Sequence, residues 1–272
     1  MLDTAYATMR YVAPAYYVFS AQMMTLIARA LGKDEDAARY EELFARIREA
    51  YIAEYVHEDG TMDADFQGIY VITLQMGLVP DEVRPLMVRH LCDMIAANGD
   101  RLDTGFLSVL FLMDVLCDNG ARDVAYRLLY QTGCPSWLYE VEMGGTTIWE
   151  SWGAVDENGG VSTYSYNHYA FGCVADWMYR TIGGLQMTEP GYRHFRVAPD
   201  VEGCGLAHAA TSLESPYGRI EVAWELGTAT GDSAQPLHLR VIVPANTQAE
   251  VRVPGGSTVT VGSGTHDFFG ML

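Results

Sequence analysis

The spacing of apolar residues changes from a helical period to a period of two near residue 185, and this change constrains the fold most. Before it, segments such as residues 34–55 place Ala37, Tyr40 and Phe44 on one stripe of a helix, with charged residues opposite. Glycine or Asn-Gly closes most of these segments. Six such helices before Cys134, and a seventh from about Tyr166 to Ile182, predict consecutive antiparallel helices in a layered array.

After residue 185 the apolar residues alternate with polar or small ones. Residues 219–226 place Ile220, Val222 and Trp224 on one face, and similar runs recur between Gly, Pro and Asn turns. This pattern predicts a small antiparallel β-sandwich. The fold class is therefore mainly α with a β domain, and we expect a helical domain over residues 1–187 and a β domain over 188–272.

Several helical segments are apolar nearly all round, which predicts inner helices covered on every side. The clearest example is FLSVLFLMDVL, residues 106–116.

Charge and cysteine usage exclude several classes of partner. The chain has 17 Lys and Arg against 35 Asp and Glu, a formal charge of −18, which disfavours binding to nucleic acid and to anionic membranes. Five widely spaced cysteines without a CxxC pair indicate neither a disulfide framework nor a zinc site. We expect no metal and no cofactor. With no secretion signal and no long apolar run, a cytoplasmic location is expected.

The connection between the sixth and seventh helices is too long and too aromatic for a simple turn. Residues 134–168 contain three tryptophans and several tyrosines but no Lys or Arg. Aromatic faces with a few convergent hydrogen-bonding groups are typical of a neutral-sugar site.

Glu150 is the candidate for a working carboxylate in this loop, because Trp149 and Trp152 bracket it. The alternative is a glutamate that makes a buried salt bridge or a helix cap. His168 begins the seventh predicted helix, where its ring would face the same pocket, although a histidine at a helix start is more often structural.

Three segments, in this order, resemble the end of the catalytic domain of bacterial α-L-rhamnosidases. They are PSWLYEVEMGGTTIWESWG (135–153), YNHYAFGCVADWMYRTIGGL (166–185) and PGYRHFRVAP (190–199). The resemblance implies an inverting glycoside hydrolase, a partial (α/α)6 toroid of antiparallel helices, and the family's C-terminal β-sandwich behind it. It covers most of the chain.

The resemblance also implies roles for individual residues. Glu150 corresponds to the general base that activates water, and His168 to a residue that contacts bound rhamnose. Trp137, Trp149 and Trp152 are expected to line the pocket. Phe106 and Asn167 are further substrate-binding candidates that are equally consistent with packing of an inner helix.

An inverting glycosidase also needs a general acid, which in this family lies upstream of the helices present here. Asp63 and Asp65 are typical of a turn, and Asp103 of a helix start. The chain thus resembles a C-terminal portion of a rhamnosidase that acts on rhamnose-containing glycosides or polysaccharides, and we expect it to be nearly inactive alone. Exposed inner helices would lead to self-association or to pairing with a complementary N-terminal segment.

Two other classes of function remain open from the sequence. A non-catalytic carbohydrate-binding or scaffold protein would explain the absent acid but not Glu150. The second class is another enzyme with a toroid fold, such as a different glycosidase or a polysaccharide lyase. A lyase would need basic residues to bind a uronate carboxylate, and the loop contains no Lys or Arg.

Overall fold

A computed structural model describes residues 2–228 and 234–272. The described residues divide into two compact units, with the division between Cys173 and Val174.

The first unit is helical and contains the six helices predicted before Cys134, followed by one short helix. Their bounds are α1 Leu2–Ala30, α2 Asp34–Tyr55, α3 Gln67–Gln75, α4 Arg84–Ala97, α5 Phe106–Asp118, α6 Arg122–Tyr130 and α7 Trp137–Glu142. Helix α1 packs against α2, and α3 packs against α1, α4 and α5. Gly68 permits the close approach of α3 to α5, since a Cβ there would meet the Ser108 Oγ at 2.7 Å. Among the described residues, no helix is long and apolar enough to cross a membrane.

The seventh predicted helix begins later than expected. Residues 166–169 are irregular, and helical structure starts with a 3₁₀ turn at Ala170–Cys173. In the second unit it continues as α8 Val174–Trp177 and a π-helical turn Met178–Ile182. The prediction was wrong at its start because the backbone N–H of His168 bonds the Ile148 carbonyl oxygen, 2.8 Å away, and not a helical partner.

The second unit carries two four-stranded sheets. Its strands are β1 Leu185–Met187, β2 His194–Val197, β3 His208–Ser215, β4 Gly218–Leu226, β5 Pro236–Val243, β6 Gln248–Arg252, β7 Thr258–Val261 and β8 Gly264–Met271. The sheet orders are β1-β2-β6-β7 and β3-β4-β5-β8. Ile220, Val222 and Trp224 are buried on β4, which confirms the predicted alternation.

The sheets are antiparallel at every described pairing except one. Strands β2 and β6 run parallel, with Phe195 opposite Ala249. A long connection that itself forms three strands separates β2 from β6, so no tight hairpin dictates their direction.

Strand β1 pairs with β2 although it precedes residue 188. The domain boundary at 187/188 stays a prediction.

The prediction that α5 is covered on every side was wrong for its first turns. Phe106, Leu107 and Leu110 are exposed, whereas Leu112 and Leu116 are buried. Helix α1 and the residue that follows it, Leu31, also expose an apolar stripe at helical spacing, whose members are 38% to 66% exposed: Met9, Tyr17, Met24, Ile27 and Leu31.

We predict that the α1 stripe makes the chain self-associate, because contiguous exposed apolar surface is rare on a monomer. Replacing Ile27 and Leu31 by Gln should shift the chain toward monomer in sedimentation velocity at micromolar concentrations. Leu26→Gln is the matched control, since Leu26 is 52% exposed on the same helix but lies off the stripe. A wild-type chain that is monomeric at all concentrations would contradict the prediction.

Candidate active site

The loop that carries Glu150 is ordered by a short helix and by pairing with itself. Helix α7 begins after Ser136, whose Oγ accepts a hydrogen bond from the Tyr139 backbone N–H at 3.1 Å. The rest of the loop has little regular structure. The sequence predicted a functional loop here but not α7.

Glu150 is held by two hydrogen bonds to one residue. Its backbone N–H donates to the Ser165 carbonyl oxygen at 2.9 Å, and its Oε2 accepts from the Ser165 N–H at 2.8 Å. The neighbouring Ile148 carbonyl oxygen accepts from the His168 N–H at 2.8 Å. Residues 148–150 are therefore fixed against residues 165–168, and the half-buried carboxylate of Glu150 has a defined direction.

Glu150 lies on the wall of a mainly apolar cavity of about 660 Å³. The wall combines side chains from α1, from α3, from the segment that enters α5, and from the loop. Loop residues on the wall are Pro135, Glu150, Ser151, Trp152 and Tyr164, and Phe171 comes from the 3₁₀ turn that follows the loop; Asp103, Thr104, Phe106 and Ser108 are among those from the α5 segment. A concave apolar surface with few polar groups suits a small organic ligand.

Trp152 is the tryptophan that lines this cavity. Its ring stacks on Phe171 with centroids 3.7 Å apart and planes 17° apart, and its Nε1 donates to the Thr104 carbonyl oxygen at 3.3 Å. Trp137 meets the Trp152 ring edge-on at 5.5 Å and donates from Nε1 to the Phe171 carbonyl oxygen at 2.8 Å. Both indole N–H groups are used, so the aromatic cluster is rigid.

The other two predicted pocket tryptophans do not line the cavity. Trp137 supports Trp152 as described, and Trp149 is buried in a separate cluster with Tyr139 and Ala154. Tyr166 contacts Trp149 edge-on at 5.9 Å. Trp149 and Trp152 flank Glu150 in sequence, but they do not both lie in the cavity.

Phe106 connects the cavity to His168. Phe106 lines the cavity, and its ring stacks on the His168 ring with centroids 4.7 Å apart. His168 Nδ1 accepts from the Ala170 N–H at 3.3 Å, which leaves Nε2 as the position for a proton in the neutral ring. Asn167 is exposed on the adjoining loop, and neither it nor His168 is part of the cavity wall.

Glu140 is a second carboxyl in the loop, and no sequence motif singled it out. It is 3% exposed, and its Oε2 accepts from the Trp149 backbone N–H at 3.3 Å. Among the described residues, Oε1 has no hydrogen-bond partner. Burial raises the pKa of Glu140 to about 7, against the lowering effect of the Trp149 N–H. The sequence feature that could have identified Glu140 is its helical spacing from Trp137, which places both side chains on the same face of α7.

The described residues contain no group of three or more His, Cys, Asp and Glu side chains placed to hold a metal ion. The site can offer an oriented carboxylate, aromatic faces and a histidine.

Family models match nearly the whole chain. The bacterial alpha-L-rhamnosidase 6 hairpin glycosidase domain matches residues 4–182, and the bacterial alpha-L-rhamnosidase C-terminal domain matches residues 184–267. The chain belongs to the bacterial α-L-rhamnosidase family. The resemblance inferred from the three sequence segments is confirmed.

Curated α-L-rhamnosidases are similar over most of this chain. One from Streptomyces avermitilis is 38% identical over 94% of the chain and 26% of its own length. One from Formosa agariphila is 32% identical over 89% of the chain and 26% of its own length. The chain thus spans about a quarter of the length of these relatives.

Solved rhamnosidase structures share the fold. The native α-L-rhamnosidase from Aspergillus terreus superposes with a TM-score of 0.86 at 35% identity, over 94% of this chain and 30% of that one. The Streptomyces avermitilis enzyme complexed with L-rhamnose also gives 0.86, at 38% identity, over 95% of this chain and 26% of that one. The partial six-hairpin helical domain followed by a β domain is therefore confirmed.

Replacing Glu140 by Gln should remove a pH dependence of stability. Between about pH 4.5 and 7 the folded chain keeps a proton on Glu140 that the unfolded chain has released, so the free energy of unfolding falls as pH rises through that window. At pH 8 the neutral isostere should be more stable than wild type by about 2 kcal/mol, with little difference at pH 4.5. Urea unfolding at both pH values measures this.

Glu142→Gln is the matched control, since Glu142 is exposed on the same helix. A difference between Glu140→Gln and wild type that is equal at the two pH values would exclude the buried, raised-pKa carboxyl.

Proposed function

We propose that the chain is part of an enzyme that hydrolyses terminal α-L-rhamnose from glycosides or polysaccharides with inversion, and that Glu150 is its general base. The observation that carries the proposal is the fixed carboxylate of Glu150 on a cavity wall beside the stacked Trp152. Membership of the rhamnosidase family supports the hydrolytic reaction.

In the proposed reaction a water molecule attacks the anomeric carbon from the face opposite the aglycone, and Glu150 accepts its proton. One carboxylate oxygen, Oε2, is committed to the Ser165 N–H. No described residue bonds Oε1, which is the oxygen that we propose orients the water. The C–O bond to the aglycone breaks as the new bond forms, and the leaving oxygen needs a proton from a general acid.

We propose different roles for the predicted substrate-binding residues. Trp152 and Phe106 present aromatic surface in the cavity to the apolar face of the sugar. Trp137 and Trp149 hold the loop from behind the cavity wall. His168 and Asn167 border the site, and we propose that His168 donates from Nε2 to a sugar hydroxyl.

We propose that this chain lacks the general acid. In an inverting enzyme the two carboxyl groups stand about 6.5–9.5 Å apart, and the partner is expected in the part of the relatives that the chain does not span. Loss of acid assistance typically costs on the order of 10²–10⁴ in rate, so the chain alone would be nearly inactive toward ordinary glycosides. Pairing with a complementary segment or a second copy would cover its exposed helix faces.

Leaving-group dependence tests this proposal. 2,4-Dinitrophenolate departs without a proton, so the chain should slowly release it from the dinitrophenyl α-L-rhamnoside while leaving the phenyl rhamnoside intact. Glu150→Gln should lower the dinitrophenyl rate by about 10²–10⁴-fold, whereas Glu142→Gln, exposed on α7, should not change it. Dinitrophenolate absorbance and the phenol yield measure the two reactions.

Two outcomes would contradict it. Turnover of the phenyl rhamnoside would mean that an acid is present in the chain. A dinitrophenyl rate equal in wild type and Glu150→Gln would remove the base assignment.

A non-catalytic carbohydrate-binding protein is the second candidate, favoured by the mainly apolar, aromatic-lined cavity. It predicts rhamnose binding with no Glu150-dependent turnover of either substrate.

Both candidates require the sugar to contact Trp152. Trp152→Ala should weaken L-rhamnose binding at least about ten-fold, because the ring supplies both apolar contact and the cavity wall. Trp177→Phe, in the second unit, is a control that removes another buried indole. Titration by ligand-observed NMR measures the affinities; unchanged affinity in Trp152→Ala would place the sugar elsewhere.

A further inference from the structure

Asp103 shares the cavity wall with Glu150 but has no assigned role. A buried glutamine fixes its backbone. The Asp103 N–H donates to Gln67 Oε1 at 3.0 Å, and Gln67 Nε2 donates to the Arg101 carbonyl oxygen at 3.0 Å. Because Gln67 is 2% exposed on α3, the position of Asp103 relative to the cavity is well defined.

The structural role expected for Asp103 is not present. The sequence predicted a helix start, but α5 begins at Phe106 with Gly105 as its N-cap and no side-chain capping bond. The Asp103 carboxylate meets one donor of the fold, the backbone N–H of Gln67 at the start of α3. One such hydrogen bond leaves most of the acceptor capacity of this carboxylate available to a ligand.

The surroundings of Asp103 disfavour its charged form. The cavity wall beside it is mainly apolar, and desolvation raises the pKa of Asp103 above its usual range, against the lowering effect of the Gln67 N–H. A ligand that supplies further hydrogen-bond donors would offset this loss of water.

A sugar in this cavity would bring such donors. Its hydroxyl groups can each donate a hydrogen bond, and ionised carboxylates are strong acceptors. Glu150 cannot orient the ring by itself, since its Oε2 is bonded to Ser165 and the other oxygen is proposed to hold water. A second carboxylate on the wall can select the configuration of the hydroxyl groups.

We propose that Asp103 is a substrate-binding residue whose carboxylate accepts hydrogen bonds from hydroxyl groups of the terminal sugar and so contributes to sugar specificity. This inference rests on the proposed sugar site around Glu150 and Trp152. It separates two functions of the wall: Glu150 acts on the water, and Asp103 orients the ring.

Rhamnose titration of the 272-residue chain by ¹H–¹⁵N NMR tests this inference. Asp103→Asn should weaken binding about ten-fold, and Asp103→Ala should weaken it further, because a neutral amide accepts more weakly than a carboxylate. Asp93→Asn is the matched control, since Asp93 is exposed on α4 and outside the cavity. The spectra also report whether each variant is folded.

Monodeoxy methyl α-L-rhamnosides give the sharper readout. The analogue that lacks the hydroxyl bound by Asp103 should bind wild type about ten-fold more weakly than the parent sugar, and should lose no further affinity in Asp103→Asn. The other analogues should still bind about ten-fold more weakly to Asp103→Asn than to wild type.

The outcomes separate this inference from the proposed function. A wild type that binds no rhamnose overturns both. A wild type that binds rhamnose, with equal affinity in both Asp103 variants, overturns this inference alone. Unchanged affinity with slower dinitrophenyl rhamnoside turnover would make Asp103 a participant in the reaction and would also overturn a binding role.

Discussion

The backbone hydrogen bonds between residues 148–150 and 165–168 are the interaction on which the candidate site depends. They bring together parts of the loop that lie 15 to 20 residues apart and leave the Glu150 carboxylate at the cavity wall. Behind them, the buried Glu140 receives the Trp149 N–H, so the segment is held on both sides. The role that we propose for Glu150 needs a carboxylate that is fixed before substrate arrives, and this pairing fixes it without using all its oxygen lone pairs.

The residues around Glu150 in GGTTIWESWG follow from the same constraint. A Cβ at Gly145 would meet the Glu140 carbonyl oxygen at 2.7 Å and the Trp149 ring at 3.1 Å, so only glycine fits between α7 and the indole. Thr147 Oγ1 donates to the Tyr166 carbonyl oxygen and extends the pairing. Trp149 fills the buried side of the segment, and Trp152 faces the cavity. The motif serves packing and the site together.

Much of the fold was predictable, because the spacing of hydrophobic residues along the chain depends directly on the local secondary structure. The six helices before Cys134 and the alternation around Trp224 were of this kind. The start of the 170–182 helix, α7 and the parallel β2–β6 pair were not, because each depends on partners distant in sequence. For the site, the motif singled out Glu150, but neither the spacing of hydrophobic residues nor the motif predicts which indole faces a cavity. They also missed Glu140, buried by tertiary packing, and attributed to Asp103 a capping role that Gly105 takes.

A crystal structure of the chain with L-rhamnose would test the central claim most directly, namely that the sugar binds beside a carboxylate that is already in place. The account predicts the sugar ring against Trp152 in the cavity, with its anomeric carbon one water molecule away from Glu150. It also predicts that the bond between Glu150 Oε2 and the Ser165 N–H, 2.8 Å without sugar, is retained. A sugar bound outside this cavity, or a Glu150 carboxylate that leaves Ser165 to point away from it, would contradict the account.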